Sequence, residues 1–128
     1  METRQERLLR TGAATPRFLQ GVFPFAGRGL FEQQPLDDEL RYVVPEGKTA
    51  RLVYFRAGNS SDDLLYLAFS VNGKPVRYFP AGPKADFHVP LAIVESYPAG
   101  TIMQVLIAAP RGLTGTLIVD VGLMESEE

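Results

Sequence analysis

Residues 64–79, LLYLAFSVNGKPVRYF, decide the fold, because they spell out a β-hairpin together with its turn. Asn72-Gly73 lies between two apolar runs, and Asn-Gly takes positive φ at both central positions of a type I′ turn more readily than other pairs. A two-residue turn sets Val71 opposite Lys74. Carried along a regular ladder, that register puts Phe69 opposite Val76, Leu67 opposite Tyr78 and Tyr66 opposite Phe79. Side chains alternate across a strand. Leu65, Leu67, Phe69 and Val71 are therefore expected on a core face with Val76 and Tyr78, and Tyr66, Ala68 and Ser70 on the other face with Arg77 and Phe79. Pro75 falls in a pair that is not hydrogen-bonded, so its missing N–H is harmless to the hairpin but bars a neighbour on the far side. The second strand is expected at a sheet edge.

Strands flank the hairpin on both sides. Residues 39–44 alternate Leu40, Tyr42 and Val44 with Glu39 and Arg41, while 49–57 are apolar on both faces, Leu52 with Tyr54 and Val53 with Phe55, as suits an interior strand. Residues 86–94 put Phe87, Val89, Leu91 and Ile93 on one face and His88 on the other, and 101–109 are again apolar on both sides. Residues 113–123 direct Leu113, Leu117, Val119, Val121 and Leu123 inward, with Thr114, Thr116 and Asp120 outward. Turns are written by Pro45-Glu46-Gly47-Lys48, Tyr97-Pro98-Ala99-Gly100 and Pro110-Arg111-Gly112. About seven or eight short strands, without a segment of sustained helical period, predict an all-β fold, an antiparallel Greek-key β-sandwich.

The N-terminal third reads differently. A short helical possibility (Glu6, Arg7, Leu8, Leu9, Arg10) is cut off by Gly12 and Pro16, and FLQGVFPFAGRGLFEQQPL (18–36) carries Phe18, Phe23, Phe25 and Phe31 without a clean period. Three segments are expected: a basic, Phe-rich, irregular arm over 1–36, a sandwich domain over 37–124 and an acidic tail over 125–128. Charge divides the same way. Residues 1–30 hold five arginines and two acidic residues, and the remaining 98 hold eight basic and thirteen acidic residues. A basic arm on an acidic body can dock in cis or on a neighbouring subunit.

The 128 residues suffice for one core. A net charge of −2 gives no field that would favour nucleic acid or an anionic membrane, so neither is an expected partner. The absence of cysteine removes disulfides, thiol catalysis and thiolate metal ligands. METRQERLLR lacks the apolar core of a signal peptide and no run approaches the ~18–20 apolar residues of a membrane span, which predicts a cytoplasmic chain. In that setting the sequon Asn59-Ser60-Ser61 is accidental.

The segments VPEGKTARLVYFRAGNSSDD, SVNGKPV, YPAGTIMQVLIAA and GLTGTLIVDVG, spread over about residues 43–122, resemble the strands of cupredoxin-like domains, in particular the copper-free domains of multicopper oxidases. The resemblance implies a Greek-key sandwich and nothing of the chemistry, because a blue-copper site takes two His and one Cys and this chain has one His and no Cys. Cupredoxin-like, immunoglobulin-like and jelly-roll versions of the sandwich all fit the strand pattern.

Sites are few. His88 has no recognisable nucleophile and orienting acid beside it in sequence, although Asp86 or Glu95 could serve a small enzyme built on it. Asp62 and Asp63 offer hard oxygen ligands, but turn chemistry explains them equally and a Ca²⁺ site needs more oxygens. No phosphate loop or metal-ligand spacing occurs, so no cofactor, metal or catalytic residue is expected. The expected function is a non-catalytic interaction module, an oligomeric or accessory subunit that contacts its own copy or another protein through Phe18, Phe23, Phe25 and Phe31 of the arm and an open sheet edge. The alternative is a sandwich that binds carbohydrate or another small molecule through Tyr66, Arg77 and Phe79, and it requires an open, concave aromatic surface.

Overall fold

The computed structural model describes residues 1–10 and 14–127, with backbone alone for 8–10. A helix α1 (Arg4–Arg10) precedes ten strands: β1 (Ala14–Ala26), β2 (Gln34–Pro35), β3 (Arg41–Val43), β4 (Lys48–Asn59), β5 (Leu65–Val71), β6 (Lys74–Ala81), β7 (Asp86–Pro90), β8 (Tyr97–Pro98), β9 (Ile102–Ala108) and β10 (Thr114–Glu127). One sheet runs β1-β10-β4-β7 with β8 also on β4, and the other runs β2-β9-β5-β6 with β3 also on β9. Every pairing is antiparallel. The chain passes repeatedly between the sheets, as a Greek-key sandwich does. The three expected turns are closed by Lys48 N–H to Pro45 O (3.1 Å), Thr101 N–H to Pro98 O (3.2 Å) and Leu113 N–H to Pro110 O (3.0 Å).

The hairpin turn forms as its sequence dictates, with φ of 52° at Asn72 and 83° at Gly73. The ladder beyond it does not. Ser70 pairs with Pro75, but Phe69 pairs with Arg77, so Val76 is an extra residue in β6. This β-bulge shifts the register by one and reverses the faces of the rest of β6. Leu67 now lies opposite Phe79 and Ala68 opposite Tyr78. Phe79, expected outside, is 5% exposed in the core; Tyr78, expected inside, is 59% exposed. The expected Tyr66/Phe79 pair is thereby dissolved, and Tyr66 meets Tyr78 instead, ring centroids 5.7 Å apart. Phe79 stacks on Phe55 of β4 at 4.2 Å and on Phe87 of β7 at 5.8 Å, joining the two sheets through one cluster of three near-parallel rings.

A second bulge acts on β4. Tyr54 pairs with Gly122 and Leu52 with Leu123, leaving Val53 as the extra residue. Leu52 and Phe55 are therefore both buried, whereas strict alternation puts them on opposite faces. The pattern of β10 needs no correction, since Leu117, Val119, Val121 and Leu123 are all buried. The strand expected over 86–94 stops at Pro90, and Ile93 stands exposed.

The arm is the largest departure. Residues 14–26 are a regular strand paired with β10 over the full length of β1, and Leu19, Phe23 and Phe25 enter the core. Two prolines and a glycine hid it from a period count. Pro16 and Pro24 are eight residues apart and in phase, so both nitrogens face away from β10, where an edge strand needs no donor. The helical turn is also longer than expected: α1 has seven residues, and Thr3 caps it by accepting Glu6 N–H at its Oγ1 (3.0 Å). Gly12, expected to end it, and Glu128 of the acidic tail lie outside the described residues. Pro75 is on the edge strand β6, as expected. Each sheet edge carries proline (Pro16 and Pro24 on β1, Pro35 on β2, Pro75 and Pro80 on β6, Pro90 on β7, Pro98 on β8), and the interior strands β4, β5, β9 and β10 carry none.

Glu125, expected in an acidic tail beyond the sandwich, is an inward, buried residue of β10. Its carboxylate accepts the Tyr42 hydroxyl of β3 and Arg17 Nε of β1 (3.3 Å), tying one sheet to the other. Burial pushes its pKa up, but the bonds from Tyr42 and Arg17 outweigh that and hold it below the usual carboxylate value. A group whose folded pKa is depressed stabilises the fold above its unfolded pKa, and the contribution disappears as pH falls through the folded value. Glu125→Gln is expected to flatten the acid limb of stability, read from urea unfolding between about pH 2 and 6.

Asn59 closes the 58–63 loop from inside. Its Nδ2 donates to the carbonyls of Asp63 (3.1 Å), Ala81 (3.3 Å) and Gly82 (3.0 Å), and its Oδ1 accepts Ser61 N–H (2.9 Å) and Ser61 Oγ–H (2.7 Å). The sequon amide is thus buried and fully engaged. Asp63 accepts the N–H of Leu64 and Asp62 pairs with Lys84, so turn chemistry accounts for both carboxylates. No helix among the described residues is long and apolar enough to cross a membrane.

Candidate functional site

The outer face of the β1-β10-β4-β7 sheet carries three cross-strand rows of residues. Phe18, Gly122, Tyr54 and Pro90 align across the four strands; next come Gln20, Asp120, Arg56 and His88, then Val22, Ile118, Gly58 and Asp86. A polar row is thus bordered by an aromatic row on one side and a mostly apolar row on the other. Between the polar and apolar rows lies an open depression of about 740 Å³, with Gln20, Arg56, Asp120 and His88 on one side and Val22 and Ile118 on the other. Gly58 leaves a hollow in its floor, since an added Cβ there would approach only Asp86, at 3.8 Å.

The bulge at Val53 makes this face. It turns Tyr54 and Arg56 outward in step with Asp120 and Gly122 while keeping Leu52 inside. Tyr54 lies across Gly122, where any Cβ would collide with the ring. Its hydroxyl donates to Asp120 Oδ1 (2.9 Å), and its ring meets His88 edge-on at 5.6 Å. Burial, and then Asp120, push the Tyr54 phenol up to about 12. At neutral pH it is therefore a donor that fixes the Asp120 carboxylate. Past Gly122 the face is closed: Arg51 and Met124 are buried, and burial followed by Arg4 of α1 holds the Arg51 guanidinium below its ordinary pKa.

The residues expected to form a site do not meet. Phe23, Phe25 and Phe79 are core; Phe31 is 98% exposed on the loop after β1. Tyr66 accepts Gln33 Nε2 (3.0 Å) on the outer face of the other sheet, whereas Arg77 turns to the seam and pairs with Glu95 (3.2 Å). Phe18 alone of the seven stands beside the depression, exposed on β1. Alternation along single strands did place His88 and Asp120 outward. Tyr54, Arg56 and Gln20 were missed as site residues, because the row that unites them depends on strand order. His88 lines the depression, but no carboxylate among the described residues holds its imidazole, and its ring neighbour is Tyr54. No cluster of three or more His, Cys, Asp or Glu suited to a metal ion occurs among the described residues.

No family model matches the sequence, and no curated protein matches it. Among solved structures the chain is similar to the CBM36-1 domain of a multidomain xylanase from the hindgut metagenome of Trinervitermes trinervoides, at TM-score 0.50 and 9% identity over 86% of this chain and 96% of that one. It is also similar to a family 35 carbohydrate binding module from Clostridium thermocellum (TM-score 0.47, 12% identity, 85% and 97% covered). A third similarity is to the infectious bursal disease virus Gx strain structure (TM-score 0.44, 14% identity, 89% and 36% covered). At such identities the first of these speaks for the fold alone. The chain is an antiparallel β-sandwich, the architecture that its strand pattern and the cupredoxin resemblance both imply.

Proposed function

We propose that this protein is a non-catalytic sandwich that binds a glycan in the depression on the outer face of the β1-β10-β4-β7 sheet. The observation that carries this is the polar row Gln20, Asp120, Arg56 and His88 set against the apolar Val22 and Ile118. A sugar ring has the same two-sided character, hydroxyls at its rim and C–H groups on its faces, and concave sites with a few placed polar groups are where small ligands bind. The fold shared with the xylanase module agrees with this use and adds nothing beyond fold. The binding surface differs from that expected on Tyr66, Arg77 and Phe79, which the β6 bulge separates.

Calorimetric titration against a panel of soluble oligosaccharides tests it. Binding is expected for at least one glycan, with at least tenfold loss in Ile118→Arg, whose exposed position lets a long charged side chain fill the depression without disturbing the core. Absence of binding to every glycan, or undiminished binding in the variant, overturns the proposal.

A second reading, an oligomeric or accessory subunit, is favoured by the exposure of Phe18, Val22 and Phe31. The prolines along the edges oppose strand addition, so such contacts would use side-chain faces. A monomeric mass by light scattering at every concentration removes the homo-oligomer.

A further inference from the structure

We infer that the glycan is acidic, carrying a carboxylate, as in a uronic acid, that is received by Arg56; this rests on the glycan reading above. Arg56 is the only permanent cation among the described residues that line the depression. It lies between Asp120 on β10 and His88 on β7 in the polar row. Yet Arg56 takes no part in the ion pairs Arg17–Glu125, Lys48–Glu127, Arg77–Glu95 and Lys84–Asp62. Asp120, its cross-strand neighbour, is instead held by the Tyr54 hydroxyl. The guanidinium therefore keeps its planar fork of donors free, in a concave site where a ligand displaces water. That fork matches a carboxylate in bidentate geometry, and charge-assisted bonds of this kind are roughly twice as strong as neutral ones.

The surroundings also limit how much charge the ligand carries. Asp86 and Asp120 line the same depression, and the whole chain is net −2. An anionic group away from Arg56 meets one of these carboxylates. Isolated carboxylates on a mostly neutral backbone are accommodated; a densely sulfated chain is repelled. His88 beside Arg56 supplies a further hydrogen-bonding group.

The test uses an oligosaccharide bearing one glucuronic acid and its carboxyl-reduced, neutral counterpart, titrated into the full chain, with heparin as the dense polyanion. Wild type is expected to prefer the uronate by about tenfold or more, the size of one charge-assisted contact, with the preference shrinking as salt rises. Arg56→Gln is expected to bind both sugars with the affinity that wild type has for the neutral one, and Arg56→Lys to recover part of the preference. Equal affinity of wild type for the two sugars, survival of the preference in Arg56→Gln, or tighter binding of heparin than of the uronate overturns the inference and leaves the glycan reading standing. Failure of both sugars and of every other glycan removes the glycan reading, and this inference with it.

Discussion

Phe79→Ala is expected to destabilise the protein by about 3–5 kcal/mol, the usual cost of emptying a buried aromatic site, while Tyr78→Ala costs about 1 kcal/mol or less. The ring of Phe79 packs against both Phe55 and Phe87 of the facing sheet, so its loss opens a cavity between the two sheets. Tyr78 lies on the outer face with only the Tyr66 ring beside it among the aromatic contacts. The comparison is sensitive because an unbulged hairpin exchanges the two outcomes: with Val76 opposite Phe69, Tyr78 would be core and Phe79 surface. Urea unfolding of both variants reads the difference as a shift in midpoint at constant slope. A larger loss for Tyr78→Ala would refute the bulge.

Asn59→Asp is the second large effect, expected at upward of about 3 kcal/mol, because a buried group placed against unmatched partners costs more when charged. The substitution keeps size and shape. It also keeps the acceptor oxygen used by Ser61, and replaces only the amide nitrogen that serves the carbonyls of Asp63, Ala81 and Gly82. A carboxylate oxygen then faces three carbonyl oxygens with no proton between them. Such a carboxyl has a folded pKa above its unfolded one, so the deficit is complete at high pH and narrows as pH falls through the folded value. Denaturation of the variant at neutral and acid pH gives the sign directly; a deficit that grows on acidification, or a variant as stable as the parent at neutral pH, contradicts the assigned role of Asn59.

What the sequence made legible was local. The Asn72-Gly73 turn, the P-x-G turns, the in-phase pattern of β10 and the edge position of Pro75 each follow from chemistry within a few residues. Two things escaped. Both bulges sit in strands apolar on each face, LVYF in β4 and PVRYF in β6, and there a one-residue slip leaves the hydrophobic pattern looking unchanged while it reverses the faces. The candidate site escaped for another reason. Gln20, Asp120, Arg56 and His88 come from four strands scattered between residues 14 and 127, and they form a row only through the order β1-β10-β4-β7. Strand β1 itself was concealed by Pro16, Gly21 and Pro24, residues that count against an interior strand and are tolerated at an edge.

The prolines on every sheet edge also govern how this protein fails. Growth of a fibril from native molecules needs an edge that can accept another strand along its length, and here the outward-facing backbone is interrupted at Pro16 and Pro24 on β1 and at Pro75 on β6. The segments best suited to cross-β stacking, LYLAFSV and IMQVLIA, lie in β5 and β9 at the interior of the other sheet. Aggregation must therefore wait for the sandwich to open. Its rate is set by how often β5 and β9 lose their neighbours, and so by the stability of the Phe55, Phe79 and Phe87 cluster rather than by collisions between folded molecules.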